Sequence, residues 1–367
     1  MMPTRCAKCV LPSSLPGSDF DANGMCSWCR SGFPNYVPKG QAALETFLAK
    51  NLRKDGAADC MVGISGGKDS SYVVMQMKRQ FGLRVEAFTY AHDGTTDFAM
   101  ENAKRVCATL GVPHHVVSLP DHEHLKSFRA FFQAWLKGED PVAAAMTCVA
   151  CKHLHILGTK LAKERNIPVV VWSLCPLETP PFIPTQARGT GKAASSGMIG
   201  LAGSLAKTAF AEPAFLRGLA SHFPTCLFGC LAFRPDSGYL QKRYPSVGHL
   251  HFFDYMGWNG AQIVETLKAQ TGWGVPSHIK SDWHSDCVFN VFKEFMFQKM
   301  LGASYTDAFV SNQIRYGLLT RDRAWAELVR SKRYYSEALP KALEIVGLPH
   351  LLPQCDRTCF EIGAAPR

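Results

Sequence analysis

The chain has 367 residues, 47% of them hydrophobic, and a net charge of +10. This length is sufficient for two or three folding units with a large core. No stretch approaches the roughly 20 uninterrupted apolar residues of a membrane span, and the N-terminus lacks an apolar signal region, so we expect a cytoplasmic protein with no membrane partner. The positive charge favours a phosphorylated or polyanionic substrate, such as a nucleotide, a nucleotide-sugar or RNA.

Two cysteine pairs lie near the N-terminus. Cys6 and Cys9 are separated from Cys26 and Cys29 by sixteen residues, close to the spacing of a four-thiolate zinc ribbon. In a cytosolic chain such cysteines favour metal or redox chemistry over disulfides. Residues 1–32 are therefore predicted to form a zinc-ribbon module, and because it is too small to bury a core, bound Zn²⁺ would supply its folding free energy.

A glycine-rich turn follows the first predicted strand, Cys60–Ile64, and precedes a predicted helix, Tyr72–Met77. This glycine turn consists of Ser65, Gly66, Gly67, Lys68, Asp69, Ser70 and Ser71. The glycines let the backbone approach a phosphate, the helix start offers free N–H groups, and Lys68 adds a positive charge. Only three residues separate Gly63 from Gly67 and Asp69 follows the lysine, so the turn is not a Walker loop.

The glycine turn resembles the SGGxDS signature of the PP-loop ATP pyrophosphatases. The resemblance implies an α/β domain of the adenine nucleotide alpha hydrolase type, which cleaves ATP between the α and β phosphates and adenylates a substrate oxygen. We expect ATP and Mg²⁺ as cofactors. The backbone from Ser65 to Gly67, with Lys68, would bind the pyrophosphate, and Ser70 and Ser71 would donate hydrogen bonds to it. Asp69 would bind Mg²⁺, which prefers carboxylate oxygen.

Further strands are predicted at Arg84–Tyr90, His114–Leu119 and Val169–Leu174, with a helix at Asp97–Leu110. This alternation predicts a parallel sheet, whose ligands lie at the carboxyl ends of the strands. In the related enzymes the residues after the second strand help to hold the adenosine. The corresponding candidates here, which could equally be plain loop residues, are Thr89, Tyr90, His92 and Asp93.

A second set of cysteines points to sulfur chemistry. Cys148 and Cys151 precede a predicted helix, Lys152–Arg165, and Cys287 lies far downstream. Three thiolates would suit a [4Fe–4S] cluster with one iron left for an external sulfide, or a redox pair that carries a persulfide. A helix start is expected to lower the thiol pKa values. The alternative is that these cysteines are simply buried, and neighbouring His284 and Asp286 are candidates for proton transfer or for a structural role.

Other cysteines are expected to pack in the core or are left without a role. Core positions are predicted for Cys60, Cys107, Cys175, Cys226 and Cys230, whereas the tail cysteines Cys355 and Cys359 have no assigned function. Residues 176–184 are predicted to form a rigid loop, residues 188–197 a lid or a linker, and residues 198–219 helices. The predicted units are 1–32, a PP-loop domain at 55–185, an acceptor-side and mostly helical region at 186–335, and a tail at 336–367.

Two families of PP-loop enzymes share features with the chain. The stretches Cys6–Pro12, Phe20–Cys29 and Ser311–Ala324 resemble the N-acetyl sugar amidotransferases. That resemblance implies replacement of an acetamido oxygen by nitrogen, with ammonia from a partner glutaminase. Cys148, Cys151 and Cys287 are not part of that pattern and instead resemble the three-cysteine iron–sulfur site of the tRNA thiolases, in which sulfur displaces AMP.

Both families begin with adenylation, and only the incoming nucleophile differs. Sulfide needs soft ligands or a persulfide carrier, whereas ammonia needs no thiol. We therefore expect an ATP-dependent sulfurtransferase, with the sugar amidotransferase as the alternative. The expected partners are a nucleotide, nucleotide-sugar or RNA acceptor, a sulfur donor or a glutaminase, and a second copy of the chain.

Overall fold

The computed structural model describes residues 4–53, 55–181, 197–277 and 286–362. Residues 188–196 of the predicted lid or linker, residues 182–184 of the predicted rigid loop, and His284 lie outside these ranges. In the N-terminal region a short helix, α1 (Ser27–Ser31), follows the second cysteine pair, and α2 (Gln41–Asn51) leads to the first strand.

The strands form one parallel sheet in the order β3-β2-β1-β4-β5. They are β1 (Cys60–Gly63), β2 (Val85–Tyr90), β3 (His114–Val117), β4 (Val169–Trp172) and β5 (Gly248–His251). The predicted parallel α/β fold is thereby confirmed. The edge strand β5 was not predicted, because two of its four residues are histidines and it lacks the apolar run that identified the other strands.

The helix after the glycine turn begins earlier than predicted. This helix, α3 (Lys68–Met75), starts four residues before Tyr72 and continues into a π-helix at Gln76–Gln80. The prediction was wrong because the first residues of α3 are polar, so that apolar periodicity is visible only from Tyr72 onward. Lys68 and Asp69 consequently lie in the first helical turn.

Helices cover the sheet and form the C-terminal region. Those between β2 and β5 are α4 (Asp97–Leu110), α5 (Glu123–Gly138), α6 (Pro141–Met146), α7 (His153–Glu164), α8 (Gly197–Ala211), α9 (Pro213–Ser221), α10 (Phe223–Leu231) and α11 (Gly238–Arg243). After β5 follow α12 (Gly260–Thr271), α13 (Phe289–Leu301), α14 (Tyr305–Arg315) and α15 (Arg321–Ile345). Short 3₁₀ turns at Pro349–Gln354 and Arg357–Phe360 end the described chain.

One continuous apolar core joins the N-terminal cysteines to the C-terminal helices. It contains Cys6 and Cys26 together with the aromatic residues Phe128, Phe292 and Tyr335. A second core lies between the sheet and helices α3, α4 and α12. The N-terminal module therefore shares its interior with helices about 300 residues away in the sequence, and the domain boundaries stay a prediction.

One stretch, Pro141–Glu164, is long and apolar enough by composition to cross a membrane. It is 56% buried inside the structure, and the core helices of globular proteins pass the same test. A 3₁₀ turn at Ala150–Lys152 separates its two parts, α6 and α7.

Candidate active site

The glycine turn lies where the strand order of the sheet reverses. From β1 the chain proceeds to β2 and β3 on one side and then returns to β4 on the other side of β1. Ligands of open parallel sheets bind at such a switch point, outside the carboxyl ends of the strands. The two segments that border this point are the glycine turn after β1 and the loop Ser173–Thr179 after β4.

The backbone of the turn requires glycine at position 66. Gly66 has a φ of +84°, and a Cβ atom there would lie 1.9 Å from the carbonyl oxygen of Ala99. The hydroxyl of Ser70 accepts a hydrogen bond from the Ser65 N–H at 3.0 Å, and the Ser65 hydroxyl accepts one from the Gly67 N–H at 3.3 Å. These contacts hold the turn in a compact shape before α3 begins.

Two tryptophans from a distant part of the chain donate hydrogen bonds to the glycine turn. Trp258 donates a hydrogen bond from Nε1 to Asp69 Oδ1 at 2.8 Å, and Trp273 donates to the Gly66 carbonyl oxygen at 2.8 Å. Lys68 is buried, with its Nζ 3.6 Å from Asp69 Oδ2. No local pattern in the sequence connects the tryptophans, which flank α12, with the glycine turn, so sequence reasoning missed them.

The residues at and after the end of β2 contact three different parts of the protein. The Thr89 hydroxyl donates to the Ile64 carbonyl oxygen at 2.7 Å, and Asp93 pairs with His122. The Tyr90 hydroxyl lies 3.3 Å from the carbonyl oxygen of Ala150, between Cys148 and Cys151. Tyr90 therefore links the end of β2 to the paired cysteines. A role for these residues in nucleotide binding stays a prediction.

The segment that carries Cys287 is hydrogen-bonded to the loop that follows β2. The Thr96 N–H donates to the Asp286 carbonyl oxygen at 3.1 Å, and the Val288 N–H donates to the Gly94 carbonyl oxygen at 2.8 Å. The Asp286 carboxylate also lies against the glycine turn, 3.3 Å from the position that a Cβ atom on Gly67 would take. Asp286, the residue before Cys287, thus lies beside the turn.

His92 packs beside Cys287. Its Nδ1 accepts a hydrogen bond from the Gly94 N–H at 3.1 Å, which leaves the proton on Nε2. Nε2 lies 4.0 Å from the sulfur of Cys287, and the ring stacks on Phe289. Burial lowers the pKa of His92 to about 4, so the ring is neutral at pH 7.

The predicted lowering of thiol pKa values at the start of α7 is wrong for Cys151. Burial raises the pKa of Cys151 to about 11, and burial also raises that of Cys287 well above its usual value, with Asp286, Cys151 and Cys148 adding to the effect. Cys151 lies in the 3₁₀ turn Ala150–Lys152 rather than at an α-helical N-cap, and desolvation outweighs the charges of Lys152 and Lys293, which lower its pKa.

The three thiols are not spaced for a single metal ion. Among the described residues, only the four N-terminal cysteines bring three or more candidate ligand atoms within 4.8 Å of one another. At least two of the sulfurs of Cys148, Cys151 and Cys287 therefore lie further apart than that. A [4Fe–4S] cluster accommodates wider spacing, because each thiolate binds a different iron atom.

The N-terminal cysteines have the geometry of a single-ion site. The sulfurs of Cys6 and Cys29, and those of Cys9 and Cys26, are each 3.8 Å apart. Four thiolates around Zn²⁺ at about 2.3 Å would be separated by about 3.8 Å. Hydrogen bonds from neighbouring groups, above all Cys26 and including Arg315, lower the pKa of Cys29 to about 7. The donor set therefore fits Zn²⁺, although its identity as a zinc site stays a prediction.

Two arginines of the C-terminal region donate hydrogen bonds to the four-cysteine module. Arg315 donates from Nη1 to the sulfur of Cys29 at 3.5 Å. Arg321 donates to the carbonyl oxygens of Cys6 at 3.2 Å and Cys9 at 3.4 Å. The stretches that carry the resemblance to the sugar amidotransferases therefore contact each other across the fold.

The remaining cysteines pack in apolar surroundings. Cys60, Cys107, Cys175, Cys226 and Cys355 are buried, and Cys230 and Cys359 pack against the core while partly exposed. None of these forms part of a metal-ligand group among the described residues.

Comparisons with known proteins match the third of the chain that contains the glycine turn. Residues 41–162 match the family model of asparagine synthase. The chain is 33% identical to the tRNA-specific 2-thiouridylase MnmA of Sinorhizobium fredii over 126 residues, which are 31% of this chain and 30% of that protein. The corresponding protein of Desulforudis audaxviator is 37% identical over 102 residues, 28% of this chain and 27% of that one. The chain thus matches about a third of the length of these relatives.

Two solved structures align with most of the chain at low similarity. They are the U34-tRNA thiolase NcsA of Methanococcus maripaludis with its [4Fe-4S] cluster (13% identity, TM-score 0.32, 87% of this chain and 91% of that one) and the NMN synthetase of Francisella tularensis (14%, 0.32, 86% and 91%). The sequence matches fall on the region that contains β1 and the glycine turn, and they confirm the predicted resemblance of this region to the PP-loop ATP pyrophosphatases.

Proposed function

We propose that this protein is an ATP-dependent sulfurtransferase. It adenylates a carbonyl or amide oxygen of its acceptor and then replaces that oxygen with sulfur. The observation that carries the proposal is that the segment of Cys148 and Cys151 and the segment of Cys287 both contact the end of β2 or the loop that follows it. The Tyr90–Ala150 contact and the Val288–Gly94 hydrogen bond attach both cysteine segments to the end of β2.

The first half-reaction uses the glycine turn. The acceptor oxygen attacks the α-phosphorus of ATP, and pyrophosphate leaves. Lys68 and the N–H groups of the turn stabilise the charge that develops on this leaving group. Asp69 would bind Mg²⁺, and the hydrogen bond from Trp258 orients its carboxylate.

The second half-reaction takes place at the thiols. Sulfur attacks the activated carbon, and AMP leaves with the original oxygen. Cys148, Cys151 and Cys287 would hold a [4Fe–4S] cluster, which supplies a soft metal site for external sulfide. A persulfide on one of these cysteines is the other form in which the chain could carry sulfur. His92 presents Nε2–H to Cys287, where it can stabilise the thiolate.

The acceptor that this chemistry fits best is an RNA base. The matched relatives are named as tRNA 2-thiouridylases, and a base carbonyl is an oxygen that sulfur can replace after adenylation. A net charge of +10 also favours a polyanion. The four N-terminal cysteines would hold structural Zn²⁺ and stabilise the fold next to the site.

Replacing Cys287 with alanine should impair the second half-reaction and spare the first. We expect ATP-dependent pyrophosphate release to stay within a few-fold of wild type, while incorporation of labelled sulfur into the acceptor falls at least about 100-fold, as for loss of a group used in the chemical step. Pyrophosphate release and labelled product are measured in the same reaction. Cys107→Ala, which removes a buried thiol in the core against the sheet, serves as the matched control.

Two results would contradict the sulfurtransferase proposal. The first is undiminished sulfur incorporation by the Cys287→Ala protein. The second is a wild-type product that gains nitrogen from ammonium and no sulfur, which would assign the chain to the amidotransferase alternative.

A further inference from the structure

Helix α14 connects the four-cysteine module to the loop that follows β4. On the module side, the Val10 N–H donates to the Ser311 hydroxyl at 3.3 Å. On the sheet side, Nδ2 of Asn312 donates to the carbonyl oxygens of Leu177 at 2.7 Å and Thr179 at 3.0 Å. Two adjacent residues of one helix therefore contact two parts of the protein that are distant in the sequence.

The orientation of the Asn312 amide is determined by its neighbours. Its Oδ1 accepts a hydrogen bond from Nη2 of Arg315 at 2.6 Å. A guanidinium can only donate and the two carbonyl oxygens can only accept, so a single orientation of the amide satisfies all three contacts. Asn312 is fully buried, which means that water cannot replace a lost partner.

Arg315 extends this chain of hydrogen bonds to the candidate metal site. Besides Asn312, its guanidinium contacts the sulfur of Cys29 at 3.5 Å and the carbonyl oxygen of Phe33 at 2.8 Å. The rigid, planar fork of the guanidinium fixes these three directions relative to one another. An unbroken relay thus runs from the Cys29 sulfur through Arg315 and Asn312 to the loop after β4.

This loop borders the candidate nucleotide site. It follows β4, which pairs with β1, so that the loop begins at the switch point, at the same end of the sheet as the glycine turn. Helix α14 is also connected to the glycine turn through Trp258. Phe309 packs edge-on against Trp258, with ring centroids 5.4 Å apart, and Trp258 donates to Asp69.

We propose that Asn312 is a positioning residue of the nucleotide site, and that Arg315 couples its orientation to the four-cysteine module. Asn312 holds the carbonyl oxygens of Leu177 and Thr179 in the arrangement that leaves the switch point open to ATP. The identity of the ligand as ATP rests on the proposed function, whereas the hydrogen-bond relay does not.

The test replaces Asn312 with aspartate, which has the same shape. The carboxylate can still accept from Arg315, but it cannot donate to the loop and its charge repels both carbonyl oxygens. Backbone amide exchange of residues 173–181 is measured by mass spectrometry, and binding of a non-hydrolysable ATP analogue is measured by calorimetry. We expect exchange to accelerate and the Kd to rise, each by about tenfold or more.

The matched control is Gln313→Glu, which makes the same amide-to-acid change one residue further along α14 and should alter neither quantity. Zinc content, measured on the same samples, should stay at the wild-type value for both variants. Because a buried aspartate could prevent folding, Arg315→Met provides a second variant at a partly exposed position. It should produce the same two changes, to a smaller extent.

The outcomes separate this inference from the proposed function. Unchanged exchange of residues 173–181 in Asn312→Asp and Arg315→Met would overturn the positioning role. If wild-type protein does not bind the ATP analogue, the proposed function fails, and faster exchange in the variants still supports the relay.

Discussion

Replacing Lys68 with alanine is expected to slow ATP-dependent pyrophosphate release by about 100- to 1000-fold, the usual cost of removing one group that stabilises developing charge. Lys68 is buried at the start of α3, next to Asp69 and 5.9 Å from the centre of the Trp258 ring. Its ammonium is therefore fixed at the point where the leaving phosphates are expected. The measurement is the initial rate of pyrophosphate release at saturating ATP.

Lys104→Ala is the control for this prediction. Lys104 is an exposed residue on α4, which follows β2, and its removal changes the net charge by the same amount. We expect its rate to stay within about twofold of wild type, as for surface substitutions in general. A Lys68→Ala protein that releases pyrophosphate at the wild-type rate would show that the lysine has no part in adenylation.

Replacing Cys26 with alanine is expected to remove the metal from the N-terminal module and to destabilise the whole protein. The binding free energy of structural Zn²⁺ contributes directly to folding, so a loss on the order of several kcal/mol should follow. Because the cysteines share one core with Phe128, Phe292 and Tyr335, the effect should reach the C-terminal helices. Zinc per chain and the Tm are measured together.

Cys107→Ala distinguishes loss of metal from loss of a buried thiol. Cys107 is 1% exposed in the core against the sheet, and its replacement should cost only about 1 kcal/mol without changing the zinc content. Equal stability and equal zinc content in Cys26→Ala and wild type would contradict a structural metal site.

The parts of the fold that could be predicted are those with local signals. Strands β1, β2 and β4 are apolar runs, and Gly66 and Gly67 mark the turn between β1 and α3. The spacing of Cys6, Cys9, Cys26 and Cys29 likewise singled out residues whose sulfurs lie together in the structure. In each case the residues that define the feature are close in the sequence.

The parts that could not be predicted depend on contacts between distant residues. Trp258 lies 189 positions from Asp69, to which it donates a hydrogen bond, and Asn312 lies 135 positions from Leu177. The raised pKa of Cys151 was missed for the same reason, because the turn that carries it packs against α5 and α10, which the cysteine spacing does not reveal. Tertiary packing outweighed the local effect of a helix start.

The sulfurtransferase proposal depends on three cysteines acting together, and metal analysis tests this most directly. Wild-type protein and Cys148→Ala are purified without oxygen, and iron, acid-labile sulfide and zinc are counted per chain alongside a visible absorption spectrum. We expect about four irons with a broad band near 400 nm in wild type, lost in the variant, and about one zinc in both. One zinc with no iron in wild type would contradict the iron–sulfur site and redirect the search to ammonia-dependent transfer.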